Sequence, residues 1–70
     1  MKIAVVYDGR VRQVLNVDDL SQLPDVFTFE VDGVQVTKQR SEVKLLKVNV
    51  DVQVGDIYVP GKGIFRFVGA

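Results

Sequence analysis

The chain has 70 residues, of which 47% are apolar and 26% are charged, and its nine basic residues balance nine acidic residues. This length predicts a single domain over residues 1–70 with one core, and the composition excludes a disordered protein. Zero net charge excludes a strong overall attraction to nucleic acid or to an anionic membrane, and the absence of cysteine and histidine excludes disulfides and thiolate or imidazole metal sites.

The N-terminal segment predicts a β-hairpin. Sixteen of the residues are valine, and β-branched side chains favour strands over helices. Ile3–Tyr7 and Val11–Val17 are strand candidates, and Asp8-Gly9 between them suits the two positive φ values of a tight turn.

A second hairpin follows the same design. Asp25–Val31 and Val34–Gln39 flank Asp32-Gly33, and Phe27 and Phe29 share one face of the first of these strands. Between the hairpins, Asp19 and Gln22 have the spacing of a capping box, while Pro24 disfavours a longer helix.
We therefore expect one helical turn between Val17 and Pro24.

The longest strand candidate is Val43–Val54. Its apolar residues change phase at Leu45-Leu46, and such a change predicts a β-bulge or a sharp bend with both leucines at least partly buried on opposite faces.

Turns at Gly55-Asp56 and at residues 60–63 separate two further strands, Ile57–Val59 and Ile64–Val68. The pattern as a whole predicts an all-β fold, a small antiparallel barrel or curled sheet of five to six strands with one short helical turn. Such a fold is comparable in strand count and length to SH3-like or OB-like barrels, a likeness that indicates no function.

Little in the sequence indicates catalysis. Histidine and cysteine, the usual general base and the strongest nucleophile at neutral pH, are missing. Asp18, Asp19 and Asp25 lack the spacing of a calcium loop and suit caps and turns. The segment Gly61-Lys62-Gly63 lacks the rest of a phosphate-binding loop and suits a turn. We expect no catalytic residues, no cofactor and no metal site.

The segment Lys62–Val68 is similar to the basic, glycine-containing aromatic strand of RNA-binding and cold-shock domains. That motif directs alternate aromatic rings outward for base stacking. Phe65 and Phe67 share one face of this strand, opposite Ile64, and we expect both rings to fill the core.

Charge is unevenly distributed along the chain. Residues 1–36 carry three cations and six anions, whereas residues 37–70 carry six cations and three anions. The six cations of the second half are a candidate binding patch: Lys38, Arg40, Lys44, Lys47, Lys62 and Arg66. Lysine at a sheet edge also prevents aggregation, and this alternative stays open.

Two hypotheses of function follow. The first is a non-enzymatic protein-interaction or assembly module, structural or adaptor in kind, that associates with itself, since a domain of this size without disulfide or metal needs another source of stability. The alternative is a small nucleic-acid-binding β-barrel that uses the local basic patch. No signal peptide or membrane helix is evident, so we expect a cytoplasmic protein or a component of a particle assembled inside the cell.

Overall fold

The computed structural model describes residues 1–66, and it confirms the all-β class. Seven strands are present in this range, together with two 3₁₀ turns at Leu20–Gln22 and Arg40–Glu42. The strands are β1 (Lys2–Tyr7), β2 (Arg10–Asn16), β3 (Val26–Val31), β4 (Val34–Gln39), β5 (Lys44–Val48), β6 (Ile57–Val59) and β7 (Gly63–Phe65). The predicted strand at Ile64–Val68 therefore ends at Phe65 among the described residues, and residues 67–70 lie outside them.

Five strands form a curled, antiparallel half-barrel in the order β5-β1-β2-β6-β7, and β3 and β4 form a separate two-stranded sheet. Both predicted Asp-Gly turns are confirmed. In the second, Asp32 has φ 51° and Gly33 has φ 82°, and a turn of this kind matches the twist of the strands that it joins.

The central strand β1 is buried on both faces. Ala4 and Val6 belong to one apolar cluster, with Val11 and Val52, whereas Val5 belongs to a second cluster with the ring of Phe27. The chain length predicts one core, but the structure has two apolar clusters on opposite faces of the same sheet. We call the Ala4 side the front face and the Val5 side the back face.

The β3–β4 hairpin covers the back face. Phe27 and Phe29 are buried there, and the ring of Phe29 lies 5.5 Å from that of Tyr7, centroid to centroid. Thr28 and Thr37 are paired on the outer, solvent face of the hairpin, where their hydroxyls lie 3.1 Å apart. The alternation predicted for β3 is therefore confirmed.

The predicted helical turn before the hairpin is also confirmed. The Asp19 carboxylate accepts a hydrogen bond from the Ser21 amide at 3.0 Å, and the Gln22 side chain accepts from the Asp18 and Asp19 amides. The turn brings Leu23 into the structure as a buried residue, while Leu20 stays half exposed.

The bulge predicted at Leu45-Leu46 is wrong. β5 pairs with β1 in one continuous register, and the irregularity lies instead between β1 and β2, at Val5/Val6. The two leucines are half-buried on opposite faces because the sheet has an apolar cluster on each side. An apolar pair therefore needs no change of register here.

The predicted strand Val43–Val54 is too long, because β5 ends at Val48. β6 pairs with β2 at Arg10, on the far side of β1, so the chain must leave β5 to reach it. On the way it buries Val52 in the front cluster, while Val50 and Val54 stay exposed.

The expectation that Phe65 fills the core is also wrong, since 52% of this residue is exposed. Ile64 packs against the front cluster, and Phe65 faces the other way, opposite Ile57 in the β6–β7 pair. The same prediction was made for Phe67, which lies outside the described residues.

Candidate interaction site

An apolar groove lies on the front face beside β5. Its volume is about 400 Å³, and it runs between β5 and the turn that joins β6 to β7. The aliphatic and aromatic side chains that line it are Leu46, Val48, Val50, Tyr58 and Ile64. Two lysines, Lys47 and Lys62, complete the lining. We call this the front groove.

A second groove lies on the back face of the same strand. It has a volume of about 300 Å³ and is more enclosed than the front groove. It is lined by leucines in and directly after the first 3₁₀ turn and in β5, by two apolar residues at the start of the chain, and by two cations: Met1, Ile3, Leu20, Leu23, Arg40, Leu45 and Lys47. We call this the back groove.

β5 separates the two grooves and is an edge strand. It is hydrogen-bonded to β1 on one side and to no other strand of residues 1–66 on the other. An edge strand presents unpaired backbone N–H and C=O groups, which can pair with another chain. A strand edge of this kind, with an apolar groove on each face of the sheet, is suited to binding an extended peptide segment.

Four of the six candidate patch residues lie at this edge or line its grooves, and three of the four are lysines. Lys47 lines both grooves and Lys62 lines the front groove. The ammonium of Lys44 lies 5.7 Å from the centroid of the Tyr58 ring, within the range of a cation–π contact. The structure therefore gathers Lys44, Lys47 and Lys62 at β5.

The patch residues other than these three lysines are Arg40, which lines the back groove, and Lys38 and Arg66, which line neither groove. The ammonium of Lys38 lies 5.3 Å from the centroid of the Tyr7 ring, on the back face. Arg40 donates hydrogen bonds to the carbonyl oxygens of Leu23 and Pro24, and so connects the two 3₁₀ turns. Arg66 is paired with Asp56. The six cations do not form one continuous surface.

Asp25 also takes part in the link between the two halves of the chain. Its carboxylate lies 4.0 Å from the Arg40 guanidinium, and its carbonyl accepts a hydrogen bond from the Arg40 amide at 2.8 Å. The Arg40 side chain and the backbone around it also border an open depression at the base of the hairpin. An acidic segment and a basic segment therefore meet here within one molecule.

Asp56 is a buried carboxylate that the sequence does not single out, with only 5% of the residue exposed. It accepts hydrogen bonds from the Arg66 guanidinium at 3.0 and 3.2 Å and from the Gln53 amide at 2.9 Å. These bonds, that from Arg66 foremost, hold the pKa of Asp56 below its ordinary value. This ion pair connects the segment between β5 and β6 to the residue that follows β7, and its role is therefore structural.

The ion pair predicts an acid-sensitive fold. A carboxyl whose pKa is lower in the folded state stabilises that state above its unfolded pKa, and the contribution is lost as the pH falls through the folded pKa. We expect the free energy of unfolding to decrease below about pH 4, and Asp56→Asn to remove this part of the decrease. Urea unfolding at about pH 7 and about pH 3 measures both effects.

Asp51→Asn is the matched control, because Asp51 is an exposed carboxylate 3.8 Å from the same guanidinium. It should leave the pH dependence nearly unchanged. The same loss of stability in acid for wild type and for Asp56→Asn would contradict the assignment.

Neither a metal centre nor a membrane span is found in residues 1–66. No group of three or more carboxylates is placed to share a cation in this range. Nor does the range contain a helix with the length and apolar character needed to cross a bilayer.

Comparison with known proteins adds no assignment: the chain matches no protein-family model, no curated protein and no solved structure.

Proposed function

We propose that this protein is a non-enzymatic interaction module that assembles with a protein partner along the β5 edge. The observation that carries the proposal is the position of β5, which has one edge unpaired among the described strands and lies between two apolar grooves. Addition of a strand to such an edge supplies main-chain hydrogen bonds, and side-chain pockets supply specificity.

A second copy of the chain is the first partner to test. A domain of 70 residues without cysteine has a small margin of stability, and a partner subunit that binds only the folded state adds to that margin. Half-exposed apolar side chains at the grooves, Leu20 and Val50 among them, would be covered by such a contact.

Nucleic acid binding is the second candidate, and the three lysines at β5 favour it. Two observations weigh against it. The Phe65 ring lies on the face opposite Ile64 and therefore outside the front groove, and the Tyr58 ring has the Lys44 ammonium beside it. Among the described residues, the site thus offers little free aromatic surface for base stacking, which together with a basic groove supplies the affinity for single strands.

The decisive experiment measures both the solution mass of the protein and the binding of ligands at β5. Light scattering over a wide concentration range measures self-association, and amide chemical shifts measure binding of added strand-forming peptides and of single-stranded DNA. We expect either a mass that falls on dilution or peptide-induced shifts at residues 44–48. A monomer that binds no peptide at β5 would overturn the proposal, and salt-sensitive DNA binding without peptide binding would favour the alternative.

Two variants localise the contact. Val50 lines the front groove and is 59% exposed, whereas Val54 is 66% exposed and lines neither groove. Val50→Asn should weaken the association by roughly tenfold, because it places an amide without a partner in the apolar contact. Val54→Asn should leave it unchanged, and equal effects of the two variants would place the contact elsewhere.

A further inference from the structure

We infer that the β5 edge selects an extended acidic segment of a partner protein, whose side chains enter the front and back grooves in alternation. The inference rests on the proposed function and specifies the chemistry of the partner.

The alternation follows from the geometry of a sheet. Successive side chains of a strand point to opposite faces, and a strand added to β5 would lie about 4.8 Å from it in the same sheet. Leu45 of β5 itself packs on the back face and Leu46 on the front face. The added strand would therefore direct every second side chain into one groove and the remainder into the other.

Both grooves require apolar side chains. Val48 and Ile64 line the front groove, and Ile3 and Leu23 line the back groove. A strand with one polar face would leave one of these grooves poorly filled. The central residues of the partner segment are therefore apolar in both phases.

The flanks of that segment are acidic. Lys47 lines both grooves, Lys62 lines the front groove and Arg40 lines the back groove, while among residues 1–66 no carboxylate lines either groove. A basic rim around an apolar site favours a ligand with carboxylates beside its apolar residues, and it raises the rate of encounter with such a ligand.

The same lysines disfavour a second β5 as the occupant. Antiparallel pairing of two β5 strands would bring Lys44 and Lys47 of both copies into one short ladder. Like charges on adjacent strands are destabilising, and lysine is a common device against edge-to-edge pairing. A second copy could therefore occupy the site only through a different, acidic segment.

A set of three synthetic peptides tests the charge preference. The acidic peptide is Glu-Glu-Val-Ile-Val-Leu-Val-Glu-Glu, and two matched peptides replace its four glutamates by serine or by lysine. We expect the acidic peptide to bind roughly tenfold more tightly than the serine peptide at low salt, with shifts centred on residues 44–48. The lysine peptide should bind most weakly.

Charge reversal on the protein gives the reciprocal test. Lys47→Glu should weaken the acidic peptide by about tenfold and improve the lysine peptide. Lys38→Glu is the matched control, because it makes the same change of net charge at a side chain that lies over the Tyr7 ring and lines neither groove. Equal effects of the two reversals would show only a response to net charge and would overturn the inference.

A double-mutant cycle tests the alternation. Leu20→Ala enlarges the back groove and Val50→Ala the front groove. Serine is placed in the peptide at either the odd or the even central positions. Strand addition predicts that one phase couples to Leu20 and the other to Val50, by about threefold or more in affinity. Coupling of both variants to a single phase would overturn it.

The outcomes separate the inference from the proposed function. Preferential binding of the serine or lysine peptide at residues 44–48 would overturn the acidic preference and leave the interaction module intact. Shifts confined to residues 63–65 would move the docking edge to β7 and overturn the inference. No binding by any peptide, together with a monomeric mass at all concentrations, would overturn both.

Discussion

Replacement of Phe27 by alanine is expected to remove a large part of the stability of the domain. The ring is 2% exposed and packs with Val5 in the back cluster, so its loss leaves a cavity between the hairpin and the sheet. Removal of a buried phenylalanine side chain costs about 3–5 kcal/mol. The total stability of a chain of this length is roughly 4–10 kcal/mol, so the loss is about a third of the total or more, and at the lower end of that range the variant is partly unfolded at room temperature. Urea unfolding followed by circular dichroism measures the difference.

The neighbouring residue provides the control. Thr28 belongs to the same strand and points outward, where it pairs with Thr37. Thr28→Ala should change the free energy of unfolding by no more than about 1 kcal/mol. A similar loss for Thr28→Ala and Phe27→Ala would show that the hairpin does not cover the back face as described.

Gly33→Val is expected to have the second largest effect. Gly33 has φ 82°, a conformation that costs an ordinary side chain about 1–2 kcal/mol and a β-branched one more. A Cβ atom at this position would meet no atom within 4 Å, so the cost arises from the backbone and not from a clash. We expect a decrease in Tm of roughly 5–15 °C.

Gly33→Asn separates this cause from a general sensitivity of the turn. Asparagine adopts positive φ more readily than other residues with a side chain, so this variant should lose less than half as much in Tm. Thermal unfolding of the two variants side by side gives the comparison. An unchanged Tm for Gly33→Val would contradict the turn geometry.

The two hairpins and the short helical turn were predictable because their signals are local. Asp32-Gly33 sets the turn, alternation sets the face of Phe27, and the cap of Asp19 with Gln22 lies within four residues. Each of these features depends on side chains that interact with nearby backbone. No distant part of the chain has to be known.

The path after β5 was not predictable from the same kind of signal. Val48, Val50, Val52 and Val54 alternate as a strand would, yet only Val48 lies in β5 and only Val52 is buried. The pairing of β6 with β2 decides this path, and that pairing joins residues more than 40 positions apart. Alternation likewise places Phe65 and Ile64 on opposite faces but does not say which face is covered.

The candidate site, too, was only partly predictable from the sequence. A basic stretch that includes Lys44 and Lys47 is visible in the sequence, and so is the exposed turn around Lys62. Their common position beside one groove depends on the curl of the sheet, which brings the β6–β7 turn towards β5. Whether a cation is free or paired is also a tertiary property, as Arg66 and Asp56 show.

Because β1 contributes residues to both apolar clusters, the two faces of the sheet are expected to unfold together. Opening the back face would expose Val5 to water. The strand that contains Val5 also contains Ala4 and Val6, which belong to the front cluster. Unfolding is therefore expected to be all-or-none despite the two separate clusters. A ligand bound at β5 would stabilise the strand that pairs with β1. Its binding is therefore expected to raise the melting temperature of the whole domain.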